Sequence, residues 1–547
     1  MTRITRLTTA SGFHTSRREF LRVSALAIPA GLLLPPLADA QSVTFDYYIS
    51  PTGSDSNPGT LARPWAITSL TASSPNYSKI GGKRIGLIAG TYGVSALMTA
   101  AGSDFNNIAL DIPGGTPSSS TYIASCDSQG NYSPRAAIIK ANDNGYFGGG
   151  NSNKCSMIGH SGNVGYLTID GLVLTGASLW CLTIGQTAGT NLSPPNVVVK
   201  NCEITGNSAQ NCTVASGQNC CPVQLMSATN FIFTNNYIHD NYGWTDGEHF
   251  AALYHWGMGS GTSGSQITYN TIINSGGLHG KEATQWNTLI AYNYIDMTRT
   301  TPGGSGYTAP IVGFLADGGK GTLTSIHHNI LISFAGGASD SPSALGGTWI
   351  DLTWDTGQKY WSCATEIYNN TMIASSALNG CGVAWFEESP GMRGLSYYNN
   401  LMFDNGFNAV AQYGYMFTNP DAFAICDYNI YGALGAAKFA TLSPSGTQGI
   451  PGQTVTSFAA WRAAIGGLDA HSVSSLVNPF TSVGKLALAA VVTSGPAFQA
   501  GRVGGTPSGS PCHIGAWDGI VTQIGCNFAG GGSGSSSVPS PPKLSVS

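Results

Sequence analysis

Pairs of short apolar runs flanking an asparagine recur through the middle of the chain. Apolar and polar residues alternate within the runs, which is the pattern of a strand, and asparagine favours turns. The units carry Asn201 in VVVKNCEITGN, Asn236 in FIFTNNYIHDN, Asn270 in ITYNTIINSG, Asn293 in LIAYNYIDM, Asn329 in SIHHNILIS, Asn370 in EIYNNTMIA and Asn400 in SYYNNLMFD, and Asp170 in YLTIDGLVLTG and Asn429 in CDYNIYG extend the series. Each unit predicts a strand, an asparagine turn, a second strand, a variable loop and a third strand.

The spacing of these units predicts a solenoid. Successive asparagines lie roughly 23 to 41 residues apart, which is too irregular for a propeller but suits a coil whose strands are fixed and whose loops vary. We expect three short strands per coil. We also expect the asparagines to stack, so that their amides hydrogen-bond along the solenoid axis.

This pattern is similar to the right-handed parallel β-helix proteins of the pectin lyase-like superfamily. The segment Tyr47–Thr60 with Trp65 resembles the opening of secreted members, IGLIAGTY resembles their first coil, and the residues from Phe458 to Ser472 and from His513 to Ala516 resemble their closing segments. The resemblance implies an all-β fold, a single-stranded right-handed parallel β-helix. It implies no single reaction, because the scaffold hosts lyases, hydrolases, epimerases, esterases and non-catalytic adhesins.

The two ends of the chain differ from the repeats. Residues 1–40 combine a twin-arginine pattern around Arg17 and Arg18 with an apolar run and the small residues Ala38 and Ala40, which predicts an export signal. The apolar run is interrupted by prolines and too short to span a membrane, so we expect no anchor in the mature form. We assign residues 41–530 to the β-helix and residues 531–547 to a flexible Gly/Ser/Pro-rich tail, and we expect a periplasmic or secreted protein.

Composition supports this class. Of 547 residues only 9% are charged and 73 are glycine, which favours strands and tight turns over helical bundles. After residue 40 the chain has 18 Lys and Arg against 25 Asp and Glu, so we expect no nucleic-acid binding. All twelve cysteines follow residue 40 without zinc-site spacing. We therefore expect disulfides between neighbours such as Cys363 and Cys381, Cys512 and Cys526, or Cys212 with Cys220 or Cys221.

Functional residues are expected on the strand that follows each variable loop, because this strand commonly carries the chemistry in the resembling superfamily. The later strands of this series concentrate titratable and aromatic side chains, namely His249, Tyr254, His279, Lys281, Asp317, Asp351, Trp354, Asp355, Trp385, Glu387 and Glu388. Alternation places His279 and Lys281 on one face. Carboxylates on adjacent or alternate coils, about 5 or 10 Å apart, suit glycoside hydrolysis.

Our main interpretation is a secreted glycoside hydrolase that cleaves a polysaccharide in a groove along this sheet. Two of Asp317, Asp351, Asp355 and Glu387 would act as general acid and as base or nucleophile, while His279 and Lys281 position hydroxyls or tune a pKa. Substrate binding is assigned to His249, Tyr254, Trp354, Trp385 and Glu388. We expect no metal site and no required cofactor.

Two alternatives remain open. In a polysaccharide lyase, Lys281 or a histidine would remove the C5 proton of a uronic acid while a cation, Ca²⁺ for example, neutralises its carboxylate. The candidate strands carry no arginine, which disfavours a polyanionic substrate unless a cation bridges it. The other alternative is a non-catalytic glycan-binding surface protein, which the Gly/Ser tail favours.

The export signal yields a direct prediction. Replacing Arg17 and Arg18 together by lysine should trap the precursor in the cytoplasm, because the export receptor reads the arginine pair as an address. Cell fractionation with an antibody against the mature chain measures this, and normal delivery of the variant to the periplasm would contradict the assignment.

Overall fold

Three long parallel sheets make up the molecule, and one turn of the chain contributes a strand to each. The structure, a computed structural model, describes residues 43–101, 107–141, 156–162, 164–177, 180–185, 194–207, 221–226, 229–241, 251–256, 264–281, 288–297, 310–312, 324–332, 349–351, 365–373, 395–403, 415–417, 423–432, 440–442, 453–466, 468–474, 497, 500–505, 508, 510–512, 514–516, 524 and 526. The chain passes through the three sheets in turn and returns to the first sheet one coil further along. In chain order these are sheet A, sheet C and sheet B, whose strands are given below.

The strands are numbered β1 to β37 in chain order. Sheet A contains β1 Tyr47–Ile49, β2 Arg84–Ile88, β5 Thr121–Cys126, β8 Leu167–Asp170, β11 Val197–Lys200, β14 Ile232–Thr234, β17 Gln266–Thr268, β20 Leu289–Ala291, β23 Thr324–His327, β26 Thr365–Tyr368, β28 Leu395–Tyr398 and β31 Phe423–Asp427. Sheet B contains β4 Ile108–Asp111, β7 Ser156–His160, β10 Leu182–Ile184, β13 Val223–Met226, β16 Ala251–Trp256, β19 Gly277–Lys281, β22 Ile311–Val312 and β25 Ile350–Asp351.

Sheet C completes each coil. It contains β3 Gly90–Gly93, β6 Ala137–Lys140, β9 Val173–Thr175, β12 Glu203–Thr205, β15 Tyr237–His239, β18 Thr271–Ile273, β21 Tyr294–Asp296, β24 Ile330–Ile332, β27 Thr371–Ile373, β29 Leu401–Phe403, β32 Ile430–Tyr431 and β35 Val473–Ser474. The remaining elements are the small sheet of β30 Tyr415–Phe417, β33 Ala440–Leu442 and β34 Gln453–Val455, the pair β36 Gly501–Arg502 and β37 Pro511–Cys512, and the helices α1 Ser95–Ala101 and α2 Phe458–Ala464.

This architecture confirms the expected right-handed parallel β-helix with three strands per coil. One hydrophobic cluster fills the interior from Ile49 to Ile465. The predicted short helix near the end of the solenoid is α2, whose N-terminus is capped by Ser457. Residues 1–40 and 531–547 lie outside the described residues, so the assignments made there stay predictions. Among the described residues, no helix is long and apolar enough to cross a membrane.

Buried asparagines connect the coils at the turn between sheets A and C. From Asn270 onward, each side-chain oxygen accepts two hydrogen bonds from the preceding asparagine, one from its backbone N–H and one from its amide group, as Asn293 Oδ1 does from Asn270 at 3.0 Å. Each amide group also donates to a carbonyl of the preceding coil, as Asn293 Nδ2 does to Ile267 O at 2.8 Å. The ladder comprises Asn236, Asn270, Asn293, Asn329, Asn370, Asn400 and Asn429.

The start of this ladder differs from the sequence prediction. Cys202, not Asn201, occupies the ladder position, since its backbone N–H donates to Asn236 Oδ1. Asn201 adopts φ 57°, a left-handed turn conformation that asparagine tolerates well, and its amide faces outward to Asp170 Oδ1 at 2.7 Å. Asp170 is likewise not a ladder residue. It ends β8, and its buried carboxylate also accepts hydrogen bonds from Tyr122 and Tyr132.

A buried carboxylate closes the other end of the ladder. Asp469 accepts hydrogen bonds from Tyr431 Oη and Trp461 Nε1, each at 2.6 Å, and from Ser472 Oγ. Ser472 Oγ in turn accepts the backbone N–H of Asn429 at 2.7 Å. The last asparagine therefore has partners although no further asparagine follows it.

A C-terminal strap, the described residues between Ala497 and Cys526, returns along the outer face of sheet C. Ala497, Ile514, Ala516 and Ile524 pack there against Tyr294, Ile330, Ile332, Ile373, Leu401 and Ile430. The backbone N–H of Ala516 donates to Thr371 Oγ1 and that of Cys526 donates to Thr271 Oγ1, each at 2.9 Å. Sheet C is consequently apolar on both faces in these coils.

The expected disulfides are wrong for the cysteines that the structure describes. Cys221 and Cys526 both carry free thiols, which excludes the Cys512–Cys526 pair and any pair with Cys221. Cys221 is fully buried, and Cys526 is partly buried with its backbone N–H bonded to Thr271 of sheet C. Cys126, Cys181, Cys202 and Cys426 are also free and buried. Cys212, Cys220, Cys363 and Cys381 lie outside the described residues.

The ladder predicts a strong dependence of stability on its central members. Asn293→Ala removes the acceptor of two buried donors of Asn270, and we expect it to lower the free energy of unfolding by about 2–5 kcal/mol. Asn293→Ser should be milder, because Ser275 Oγ accepts the equivalent pair of bonds from Asn241 in a second, shorter ladder. Denaturant unfolding measures both, and equal stability of wild type and Asn293→Ala would contradict the account.

Candidate functional site

The outer face of sheet B presents one polar column that runs across all eight strands. Cross-strand register aligns Asp111, Gly159, Thr183, Gln224, Tyr254, His279, Val312 and Asp351 in that order. The adjacent column, one residue earlier on each strand, is Leu110, Ile158, Leu182, Val223, Leu253, Leu278, Ile311 and Ile350, and all of these are fully buried in the core. Because side chains alternate along a strand, the polar column lies on the face that points away from the core.

Tyr254 and His279 contact each other in the middle of this column. Their rings meet edge to face with centroids 5.2 Å apart. Both are buried, Tyr254 at 1% and His279 at 5% relative exposure, and Gln224 beside Tyr254 is buried at 3%. The edge-to-face contact restrains the orientation of the imidazole ring.

Lys281 and Asp351 complete the candidate site by position. Lys281 ends β19 two residues after His279 and therefore occupies the same face, in register with Trp256 of β16. Asp351 ends β25 in the column of His279, separated from it by Val312. Two strand spacings place the backbones of His279 and Asp351 roughly 10 Å apart. In the backbone register of sheet B, the positions of His279 and Asp351 therefore share one column, and Lys281 follows His279 by two residues.

The far end of the column has a structural role. Asp111 accepts hydrogen bonds from Tyr77 Oη at 2.9 Å and from both the backbone and the hydroxyl of Ser161, at 3.1 and 3.0 Å. These bonds tie the N-terminal turns to β7 and occupy the carboxylate. Asp111 lies seven strands from Asp351, so the two cannot act on one sugar.

The strands that follow the variable loops form sheet B, as predicted, where the structure describes them, except that the last one, β30, pairs with β33 in the small sheet. Trp349, two residues before Asp351, packs into the core and donates from Nε1 to Ile373 O at 2.7 Å. The predicted site residues His249, Asp317, Trp354, Asp355, Trp385, Glu387 and Glu388 also lie outside the described residues, so their roles stay predictions.

Two titratable features elsewhere escaped the sequence reasoning. Glu366 lies on the outer face of sheet A between Ser325 and Ser396, and burial raises the pKa of its carboxyl, as a general acid requires. On the outer face of sheet C, His239 lies between Glu203 and Asp240, with nitrogen–oxygen distances of 3.3 and 2.8 Å. In the sequence, both features are marked by polar residues at outward strand positions of sheets other than sheet B.

Metal binding finds no support in the described ranges, where no three His, Cys, Asp or Glu side chains come together as a group that could hold an ion. Asp351 is an oxygen donor of the kind that Ca²⁺ prefers. It stands alone among the described positions of its end of the column.

Similarity to known proteins is found among solved structures. No protein-family model matches the sequence, and no curated protein matches it. Among solved structures, similarity is found to a rhamnogalacturonan lyase at 15% identity and TM-score 0.41, covering 81% of this chain and 92% of that one. Pectate lyase Pel9A matches at 13% identity and TM-score 0.43, covering 86% and 96%. A lacto-N-biosidase from Eubacterium ramulus matches at 14% identity and TM-score 0.27, covering 74% and 66%. At such similarity the comparisons select no reaction.

The His239 cluster predicts a pH-dependent contribution to stability. Burial lowers the pKa of His239, but hydrogen bonds and charges from Glu203 and Asp240 outweigh burial, so its pKa in the folded state is raised. The stabilisation is therefore complete below the unfolded pKa of about 6.5 and is lost as the pH rises through the folded pKa. We expect the difference in thermal midpoint between wild type and His239→Gln to shrink as the pH rises from 6 to 8. A difference that is constant across this range would contradict the pairing.

Proposed function

We propose that this protein is a polysaccharide lyase that cleaves a uronic-acid-containing chain along the outer face of sheet B. The observation that supports the proposal is the backbone register of sheet B, in which the positions of His279 and Asp351 share one column and Lys281 follows His279 by two residues. A lyase needs one base close to an acidic carbon–hydrogen bond, and this face offers two residue types that serve as bases.

The hydrolase interpretation needs a second carboxylate at a defined distance. Retaining enzymes hold their two carboxyl groups about 5–5.5 Å apart and inverting enzymes about 6.5–9.5 Å apart. Among the described positions of the polar column, Asp351 and Asp111 are the carboxylates, and seven strand spacings separate them by roughly 34 Å. The other carboxylates predicted to act with Asp351, namely Asp317, Asp355 and Glu387, lie outside the described residues, so the hydrolase remains the alternative.

In the proposed reaction, Lys281 or His279 takes the proton from C5 of the uronic acid. The electron pair of that bond forms a double bond between C4 and C5, and the bond from C4 to the glycosidic oxygen breaks. The departing oxygen takes a proton, so the products are a new reducing-end chain and an unsaturated uronic acid. A protonated Lys281 would attract the anionic polymer by its positive charge. A lysine that acts as the base must instead be neutral.

The reaction type can be tested with the mature chain and a set of polymers. We would incubate it with polygalacturonate, alginate and a neutral xylan, with and without EDTA, and analyse the products by mass and ultraviolet absorption. A lyase gives unsaturated, ultraviolet-absorbing products from an acidic polymer. New reducing ends without that absorption would establish hydrolysis instead, and binding without cleavage would establish a glycan-binding protein. The EDTA arm reports whether a divalent cation neutralises the uronate.

Variants on the cleaved polymer test the residues. Lys281→Ala or His279→Gln should reduce kcat by on the order of 10²–10⁴, because the base is lost, whereas Asp351→Asn should reduce it less. Lys140→Ala, an exposed lysine on a strand of sheet C, is the matched control and should keep full activity. Thermal unfolding of each variant separates a folding defect from lost chemistry. A larger loss from Asp351→Asn than from both base variants would overturn the lyase proposal.

A further inference from the structure

An unsatisfied hydrogen-bond acceptor lies in the polar column beside the proposed catalytic face. Gln224 is 3% exposed, and its Oε1 receives no hydrogen bond from any group in the described part of the chain. A buried acceptor without a donor is unfavourable, so such atoms in folded proteins are normally satisfied by protein, by water or by a ligand.

The two residues beside Gln224 in the column contact other side chains. On one side, the hydroxyl of Thr183 is hydrogen-bonded to Ser156 Oγ. On the other side, the ring of Tyr254 contacts the ring of His279. Neither of these contacts involves the amide oxygen of Gln224.

The position of Gln224 relates it to the reaction centre. It lies one strand from Tyr254 and two strands from His279, roughly 10 Å along the solenoid axis. A polysaccharide that lies along sheet B and places one sugar at His279 extends over this distance with its neighbouring sugars. Gln224, Tyr254 and His279 are similarly buried along this strip, so the proposal requires that the polysaccharide gains access to all three together.

We propose that Gln224 forms a sugar-binding subsite of this groove, in which its amide oxygen accepts a hydrogen bond from a hydroxyl of the polysaccharide. The inference rests on the proposed lyase function and names a specificity feature of the same site. An amide oxygen accepts but does not donate, so it favours a sugar with a free hydroxyl over one that carries an ester or a carboxylate at that point. The subsite therefore selects chains that are not acetylated there.

The test compares Gln224→Leu with wild type on the polymer that is cleaved. Leucine keeps the approximate volume but removes the acceptor, so we expect KM to rise about 3- to 10-fold, the effect of one hydrogen bond, while kcat is unchanged. Wild type should prefer the deacetylated form of the polymer over its acetylated form, and Gln224→Leu should lose that preference. Gln266→Leu, a glutamine on the outer face of sheet A, is the matched control and should change neither quantity.

Thermal unfolding without substrate gives an independent readout. Gln224→Leu should raise the thermal midpoint by about 1 °C or more, because it removes a buried acceptor that the folded protein leaves unsatisfied. A lower midpoint together with an unchanged KM would show that Oε1 has a structural partner, and it would overturn the subsite. An unchanged preference for deacetylated polymer would also overturn it.

Failure of the lyase proposal is distinguishable from failure of the subsite. If no polymer is cleaved, calorimetric binding of polygalacturonate and alginate oligosaccharides replaces KM. Weaker binding by Gln224→Leu, with normal binding by Gln266→Leu, would then support the subsite in a protein that binds but does not cleave. Equal binding by both variants, or no binding by wild type, would overturn it.

Discussion

The ladder of buried asparagines sets the register of every coil from Asn236 to Asn429. Each side-chain oxygen accepts two hydrogen bonds from the coil before it, so a slip of one residue would leave several buried polar groups without partners. Loops of very different length can therefore separate the coils without disturbing the strands. The alignment of Gln224, Tyr254, His279 and Asp351 on sheet B follows from this fixed register, although none of these residues touches the ladder.

The fold was predictable because its signals are local. Alternating apolar positions and an asparagine at each turn specify strands, turns and inward faces within a dozen residues, and they correctly predicted the strand that carries His279. The error at Asn201 has the same local origin. Both the left-handed turn position and the ladder position favour asparagine, and most coils carry Asn at the second of these, as in Asn399-Asn400. Where cysteine takes the ladder position, the sequence pattern points to the wrong residue.

Features that depend on distant parts of the chain were not predictable in this way. The burial of Tyr254 and the unsatisfied oxygen of Gln224 depend on packing around sheet B, which the strand pattern does not report. The covering of the outer face of sheet C does have a signal in the sequence. Ile330–Ile332 is apolar at every position, and a strand without alternation is covered on both faces.

The strap over sheet C changes how the solenoid resists unfolding. In a simple repeat array each coil touches its neighbours alone, so coils can detach one at a time from an end. Here a single segment bonds to Thr271 and Thr371, which belong to coils that are not adjacent, across sequence separations of 255 and 145 residues. Peeling the last coils away requires the strap to leave the earlier ones as well. The strap therefore couples the unfolding of separated coils, and we expect the coils from β18 to the C-terminal end of the solenoid to unfold cooperatively.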